Sequence, residues 1–188
     1  MKANEIRPGN ALNLNGKLYV VTNIAHTKPG KGPAYIQVKM RAVDGSGTTE
    51  KRFSGSDAVD GATLDRREME FLYPDGAGGG TFMDTTDYDQ VELTGELLGD
   101  TLLYLAPNTS CTILFHDEKP VSVELPASVV VTVVDTPPGI KGATATNQLK
   151  EAECDTGLKT RVPPFITNDE KIKVSTEDGS YISRVKDE

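Results

Sequence analysis

Side chains able to do covalent chemistry are few and scattered. His26 and His116 are the only histidines, and Cys111 and Cys154 the only thiols, in 188 residues. Neither histidine has a serine or cysteine placed in a recognised nucleophile-and-base motif, so no catalytic triad is spelled out. The cysteines form no CxxC pair and have no histidine at metal-ligand spacing. They read as two reduced structural thiols, not as a disulfide framework or a zinc site. Gly76 to Gly80 is glycine-rich, but no GxxxxGK motif follows a strand, and a nucleotide site is excluded. Asp84, Asp87 and Asp89 have the opening rhythm of a calcium loop without its glycine or distal glutamate, and read as a solvated acidic edge. No catalytic residue, metal or cofactor is indicated, and an enzyme is the least supported class.

One short stretch has a specific physical logic, and it points to binding: Pro29-Gly30-Lys31-Gly32-Pro33. Glycines on both sides of Lys31 remove side chains that would hold the backbone away from a partner. Prolines beyond them fix φ and restrict the loop before binding. The result is a thin, stiffened stalk with one cation at its end. It suits the insertion of an ammonium group among the phosphate or ribose oxygens of a narrow RNA cavity. An isolated Gly-Lys-Gly is more often a solvated lysine in a turn, so the reading needs support from its surroundings.

The elements that must hold this loop are strands. Leu18, Val20, Thr22 and Ile24 recur with period two, as do Ile36, Val38, Met40 and Ala42, leaving Gln37, Lys39 and Arg41 as a basic outer row. The connection from Thr27 to Pro33 is longer than a two-residue hairpin and is expected to project. Lys51 and Arg52 add positive charge on the next strand. Further on, residues 69 to 83 read as a hairpin with a floppy glycine tip. Leu93 to Ala106 is the best helix candidate despite Gly95 and Gly99. Ile113 to Leu125 reads as another hairpin, ended by Pro126, and Val129 to Val134 as a buried strand. Val162 to Ile166, Ile172 with Val174, and Tyr181 to Val185 complete the strands. Short strands at this spacing make small β-barrels or sandwiches.

Charge divides the chain the same way. Residues 1–64 carry nine Lys and Arg against five Asp and Glu, residues 65–126 three against thirteen, and residues 127–188 eight against ten. A net charge of −8 would disfavour nucleic acid, but a basic first third ahead of an acidic middle is a partner signal that reads as an RNA-facing N-terminal unit, the alternative being an uneven but idle surface. The charged start, Met-Lys-Ala-Asn-Glu, lacks the apolar stretch of a signal peptide, and no apolar run approaches a membrane span. A cytoplasmic protein with no membrane partner is expected.

Four segments together resemble the bacterial elongation factor P family over essentially the whole chain. They are Asn4 to Asn10 (NEIRPGN), Lys28 to Ala34 (KPGKGPA) followed by Val38-Lys39-Met40-Arg41, Val133 to Gly142 (VVDTPPGIKG) and Gly179 to Val185 (GSYISRV). The resemblance implies an all-β protein of three small barrels in an L shape similar to a tRNA. These are an SH3-like, KOW-type barrel over 1–64 carrying the Lys31 tip, an OB-fold over 65–126 and a C-terminal OB-fold over 127–188. It implies a non-enzymatic translation elongation factor, acting as a monomer. Such a factor binds both ribosomal subunits beside the peptidyl-tRNA and relieves stalls at consecutive prolines by aligning the tRNA acceptor end.

On that resemblance Lys31 is the tip residue reaching the acceptor end, supported by Lys28, Pro29, Gly30, Gly32 and Pro33. Lys39, Arg41, Tyr181 and Arg184 are RNA-contact candidates, the last two facing the small subunit. The family's tip lysine is often extended by β-lysylation or another addition, which implies a lysine-modifying enzyme as a partner. Prolines on both sides offer the alternative of a pre-organised, unmodified lysine. This chain has Gly142-Ala143-Thr144 where the family often has Gly-Asp-Thr, and Thr160 and Asp169 where an aliphatic residue and a glycine are usual. Ala143 is shared with a paralogous elongation-factor-P-like branch of different stall preference, whereas Lys31 is the tip of the main family. A generic RNA-binding barrel protein is the reading from another class.

Overall fold

The computed structural model describes residues 1–139 and 148–186, and within them the chain is strand and turn with little helix. Gly142-Ala143-Thr144 lies outside the described residues. The first strands are β1 (Ala11–Leu14), β2 (Lys17–Thr27), β3 (Tyr35–Ala42), β4 (Thr48–Ser54) and β5 (Gly61–Ala62). The next are β6 (Asp65–Pro74), β7 (Gly80–Asp84), β8 (Gln90–Leu93), β9 (Ser110–His116) and β10 (Lys119–Glu124). The last are β11 (Ser128–Asp135), β12 (Lys150–Cys154), β13 (Lys159–Val162), β14 (Lys171–Ser175) and β15 (Tyr181–Arg184). They make three sheets with orders β4-β3-β2-β1-β5, β10-β9-β6-β7-β8 and β13-β12-β11-β14-β15. By compactness the chain divides into Met1–Arg66 with Ile113–Ser122, and Arg67–Thr112 with Val123–Glu188.

In the first unit β3 follows its pattern fully: Ile36, Val38, Met40 and Ala42 are all buried. Ala3 and Ile6, from the N-terminal turn, join Val38, Met40 and Phe53 in that core. The NEIRPGN segment is thus a plug for the barrel. β2 departs from expectation. Its register with β3 shifts between Val21 and Asn23, a bulge that takes Thr22 out of the ladder. The phase of the strand reverses there, so Leu18 and Val20 lie on the opposite face from Ile24. Val21 and Ile24 serve the barrel core, while Val20 packs with Leu114 and Val121.

In the second unit the glycine stretch is not a floppy tip. The Asp75 carboxylate accepts from the backbone N–H of Ala77 and of Gly79, and the Asp75 N–H donates to the Gly79 carbonyl. Asp84 is also not a solvated edge: it is 6% exposed and its Oδ1 accepts from the N–H of Thr86 at 2.7 Å, tying the turn that follows β7. The helix expected from Leu93 to Ala106 shrinks to one α-helical turn, Gly95–Leu98, capped by the Thr94 hydroxyl, then a 3-10 segment to Tyr104. Leu98 and Leu105 are buried there, which keeps the apolar spacing that suggested a helix. Leu103 and Tyr104 of this segment pack on the third core, and Thr156 Oγ1 donates to the Leu103 carbonyl at 2.6 Å.

β11 alternates instead of being buried throughout: Val129, Val131 and Val133 enter the core, while Val130 and Val134 are 43% and 47% exposed. Residues 163–166 form a turn whose Ile166 is buried. The two unusual positions have local explanations. Thr160 is half-buried and donates to the Gly179 carbonyl at 2.6 Å, a bond that an aliphatic residue lacks. Asp169 sits at φ +68, the left-handed region where glycine is unstrained. Left-handed strain of about 1 to 2 kcal/mol, less for aspartate, outweighs the extra chain entropy of glycine. Asp169→Gly is therefore expected to raise the urea midpoint, with a gain of about 0.5 kcal/mol.

Both cysteines are free and buried. Burial pushes the Cys111 thiol up to about 12, and burial together with Asp155 and Glu153 pushes Cys154 up to about 11. The thiolate is the reactive species. A disulfide reagent at neutral pH is expected to find no thiol in the folded protein and both thiols in denaturant. Fast labelling of the native protein would contradict this burial.

Candidate nucleic-acid interface

The tip hairpin is set by the antiparallel ladder of β2 and β3, whose last paired residues are Thr27 and Tyr35. Seven residues, Lys28 to Ala34, then leave the sheet. Gly30, Lys31, Gly32 and Pro33 are exposed, and Pro29 is half-buried at the start of the turn. Gly32 has φ +113, which a side chain would strain, and a Cβ there would stand 3.9 Å from Pro29 Cγ. A Cβ on Gly30 would touch nothing in the protein. The bareness of Gly30 serves no internal packing and keeps the stalk slim beside Lys31.

Below the loop lies a cavity of about 210 Å³ lined by His26, Thr27, Lys28, Ala34, Tyr35 and neighbours. On the outer face of the hairpin, Lys39 is exposed, opposite Asn23 of β2 and Glu50 of β4. Glu50 accepts from Gln37 Nε2 at 2.6 Å. The Arg52 guanidinium lies over the Tyr35 ring at 4.8 Å, and the Lys51 ammonium over the Phe53 ring at 5.2 Å. These stacked cations at the base of the tip were visible in the sequence only as charge. Phe53 is two residues from Lys51, but Tyr35 is seventeen from Arg52, and only the β3–β4 register brings it within reach.

Arg41 is placed differently from Lys39. It is half-buried, and its Nη2 donates to the Val121 carbonyl at 2.6 Å. Tyr181 and Arg184 belong to the second unit. Tyr181 is half-buried against the third core. Arg184 pairs with Glu170 and lies over the Phe165 ring at 5.9 Å. The Glu170 carboxyl is held below the usual carboxylate range by the Thr167 N–H and by Arg184. Phe165, exposed beside this pair, is a residue that sequence reading did not single out.

The second unit also has a cavity of about 530 Å³ lined by Thr136, Glu151, Glu153, Lys159, Thr160 and Arg161 among others. Across β12 and β13, Glu151 stands opposite Arg161 and Glu153 opposite Lys159, so this wall is charge-balanced. Among the described residues no group of three or more His, Cys, Asp and Glu side chains is arranged to hold a metal ion. No helix among them is long and apolar enough to cross a membrane.

Three family models match in sequence order. The elongation factor P KOW-like domain matches residues 2–59, the elongation factor P OB domain residues 64–123, and the elongation factor P C-terminal domain residues 129–184. A protein named elongation factor P from Bifidobacterium animalis subsp. lactis (strain AD011) is 42% identical over 181 residues, covering 96% of each chain. Another of that name from Nocardioides sp. (strain ATCC BAA-499 / JS614) is 40% identical over 183 residues, 97% of each. A third, from Frankia casuarinae, is 42% identical over 182 residues, again 97% of each.

Proposed function

Because the chain belongs to the elongation factor P family of translation elongation factors, we propose that it binds the ribosome beside the peptidyl-tRNA and promotes peptide-bond formation at consecutive prolines. Proline is a poor nucleophile and a strained nascent chain misaligns the reactants. A clamp on the tRNA acceptor end restores the near-attack geometry without any bond chemistry by the factor. The observation that carries this reading is Lys31, exposed between two glycines on a seven-residue loop at the end of a two-stranded ladder.

In this reading Lys31 reaches the acceptor end, with its approach set by Pro29, Gly30, Gly32 and Pro33, and Lys28 and Lys39 contact RNA backbone. Tyr181 and Arg184, with Phe165 beside them, face the small subunit. The protein works as a cytoplasmic monomer of three barrels over 1–64, 65–126 and 127–188. Its exposed ε-amino group at Lys31 is open to a lysine-modifying enzyme.

The test is a reconstituted translation system lacking the factor, supplied with protein from its native cell so that any extension of Lys31 is retained. The reporter encodes three consecutive prolines, and a matched reporter has none. Restored full-length product on the proline reporter alone supports the proposal. An unchanged proline reporter sinks it, and salt-sensitive binding to unrelated RNAs would then favour a generic RNA-binding role.

A further inference from the structure

Val20 points out of its own barrel yet is 2% exposed. The bulge at Thr22 lets one strand serve two apolar faces: Ile24 turns into the barrel, and Val20 turns to Leu114 and Val121 of the β9–β10 hairpin, with Val43 and Leu64 around them. Directly across the ladder from Val20 stands Arg41, whose guanidinium donates to the Val121 carbonyl at 2.6 Å. β10 is an end strand, so part of its backbone lacks a strand partner. Arg41 supplies a charged donor to a carbonyl of this end strand, and charge-assisted bonds are the strong ones.

We propose that Arg41 is a positioning residue: with Val20, Leu114 and Val121 it forms a strut that fixes the angle of the β2–β3 hairpin on the β9–β10 hairpin, and thereby the place of Lys31. This rests on the reading of Lys31 given above. The strut and the tip lie toward opposite ends of one ladder, Val20–Arg41 one pair in from one end and Thr27–Tyr35 at the other. Seven residues of strand span about 23 Å at about 3.3 Å each. Over that arm a tilt of about 5° moves the tip by about 2 Å, and misplacement by about 1 Å can lower a rate about 100-fold. A carbonyl contact far from the tip thus has leverage on alignment. A phosphate ligand at the same position would instead act through affinity.

The two roles separate in the proline-reporter assay when the maximal rescue rate and the half-saturating factor concentration are measured for Arg41→Ala and Val121→Ala. A strut predicts that both variants lower the maximal rate about 10-fold, with half-saturation within about twofold of wild type and an unchanged salt dependence. If Arg41→Ala instead raises the half-saturating concentration and reduces the salt slope by about 1 while Val121→Ala behaves as wild type, Arg41 is a phosphate contact and the strut is wrong.

A second measurement needs no ribosome. Spin labels at Gly30→Cys and Lys119→Cys, introduced beside two native thiols that are buried, report the distance from tip to hairpin. Broadening of that distance on Arg41→Ala supports the strut, and an unchanged narrow distribution overturns it. Should wild type fail to rescue the proline reporter, the functional reading falls, and the distance measurement still decides whether Arg41 is a strut.

Discussion

Lys31→Ala is expected to lower rescue of the three-proline reporter by about 10- to 100-fold, the factor that corresponds to losing about 1.5 to 3 kcal/mol from a hydrogen bond made by a charged group. Stability should stay within about 0.5 kcal/mol of wild type, because an exposed side chain at the end of a loop packs on nothing. The two readouts together make the result specific. Loss of rescue with an unchanged urea midpoint assigns the defect to the ammonium group. Rescue by Lys31→Ala at wild-type rate would remove the tip from the mechanism, whatever the protein's effect on the reporter.

Gly79→Ala is the substitution with the largest expected effect on folding, a loss of about 3 kcal/mol. A Cβ at residue 79 would stand 2.4 Å from the Leu93 carbonyl oxygen and 2.5 Å from Asp75 Oδ2. The first is backbone of β8 and cannot swing aside. The second is the carboxylate that ties the loop through the N–H groups of Ala77 and Gly79, so moving it breaks bonds it now makes. A floppy loop would predict the opposite sign, since replacing glycine in a mobile turn restricts the unfolded chain and stabilises. Urea unfolding with an unchanged m-value and a lowered midpoint is the outcome that the caged loop requires.

The contrast between these two glycine-rich loops shows what a sequence reveals. At Lys31 the arrangement is local: prolines, glycines and a lysine within five residues describe a projecting cation without reference to anything else. At Gly79 the determining atoms belong to Asp75 and to Leu93, fourteen residues further on, and composition alone suggests freedom where the fold imposes closeness. β3 was legible because its alternation is strict and both of its neighbours lie beside it in sequence. β2 was not: Leu18, Val20, Thr22 and Ile24 look like one face, and the bulge becomes sensible only when Leu114 and Val121 arrive to cover Val20. Asp169 carries only a weak mark of its left-handed φ in its own identity, and the resemblance, which implies glycine at that position, is the more direct pointer to it. Arg41 and Lys39 are two residues apart on one basic row, and only the tertiary partner distinguishes them.

The strands at the sheet ends carry a further consequence, for behaviour at high concentration. An end strand offers unpaired backbone to any second copy, and a flat apolar one templates aggregation. Here β4 bears Glu50, Lys51 and Arg52 in succession, β5 is two residues long, β10 contains Pro120, and β13 bears Lys159 and Arg161. Charge, brevity and a missing N–H each discourage the addition of a foreign strand. The same cations that crowd the base of the tip on β4 therefore also help to keep one copy of a strand-rich protein from polymerising onto another.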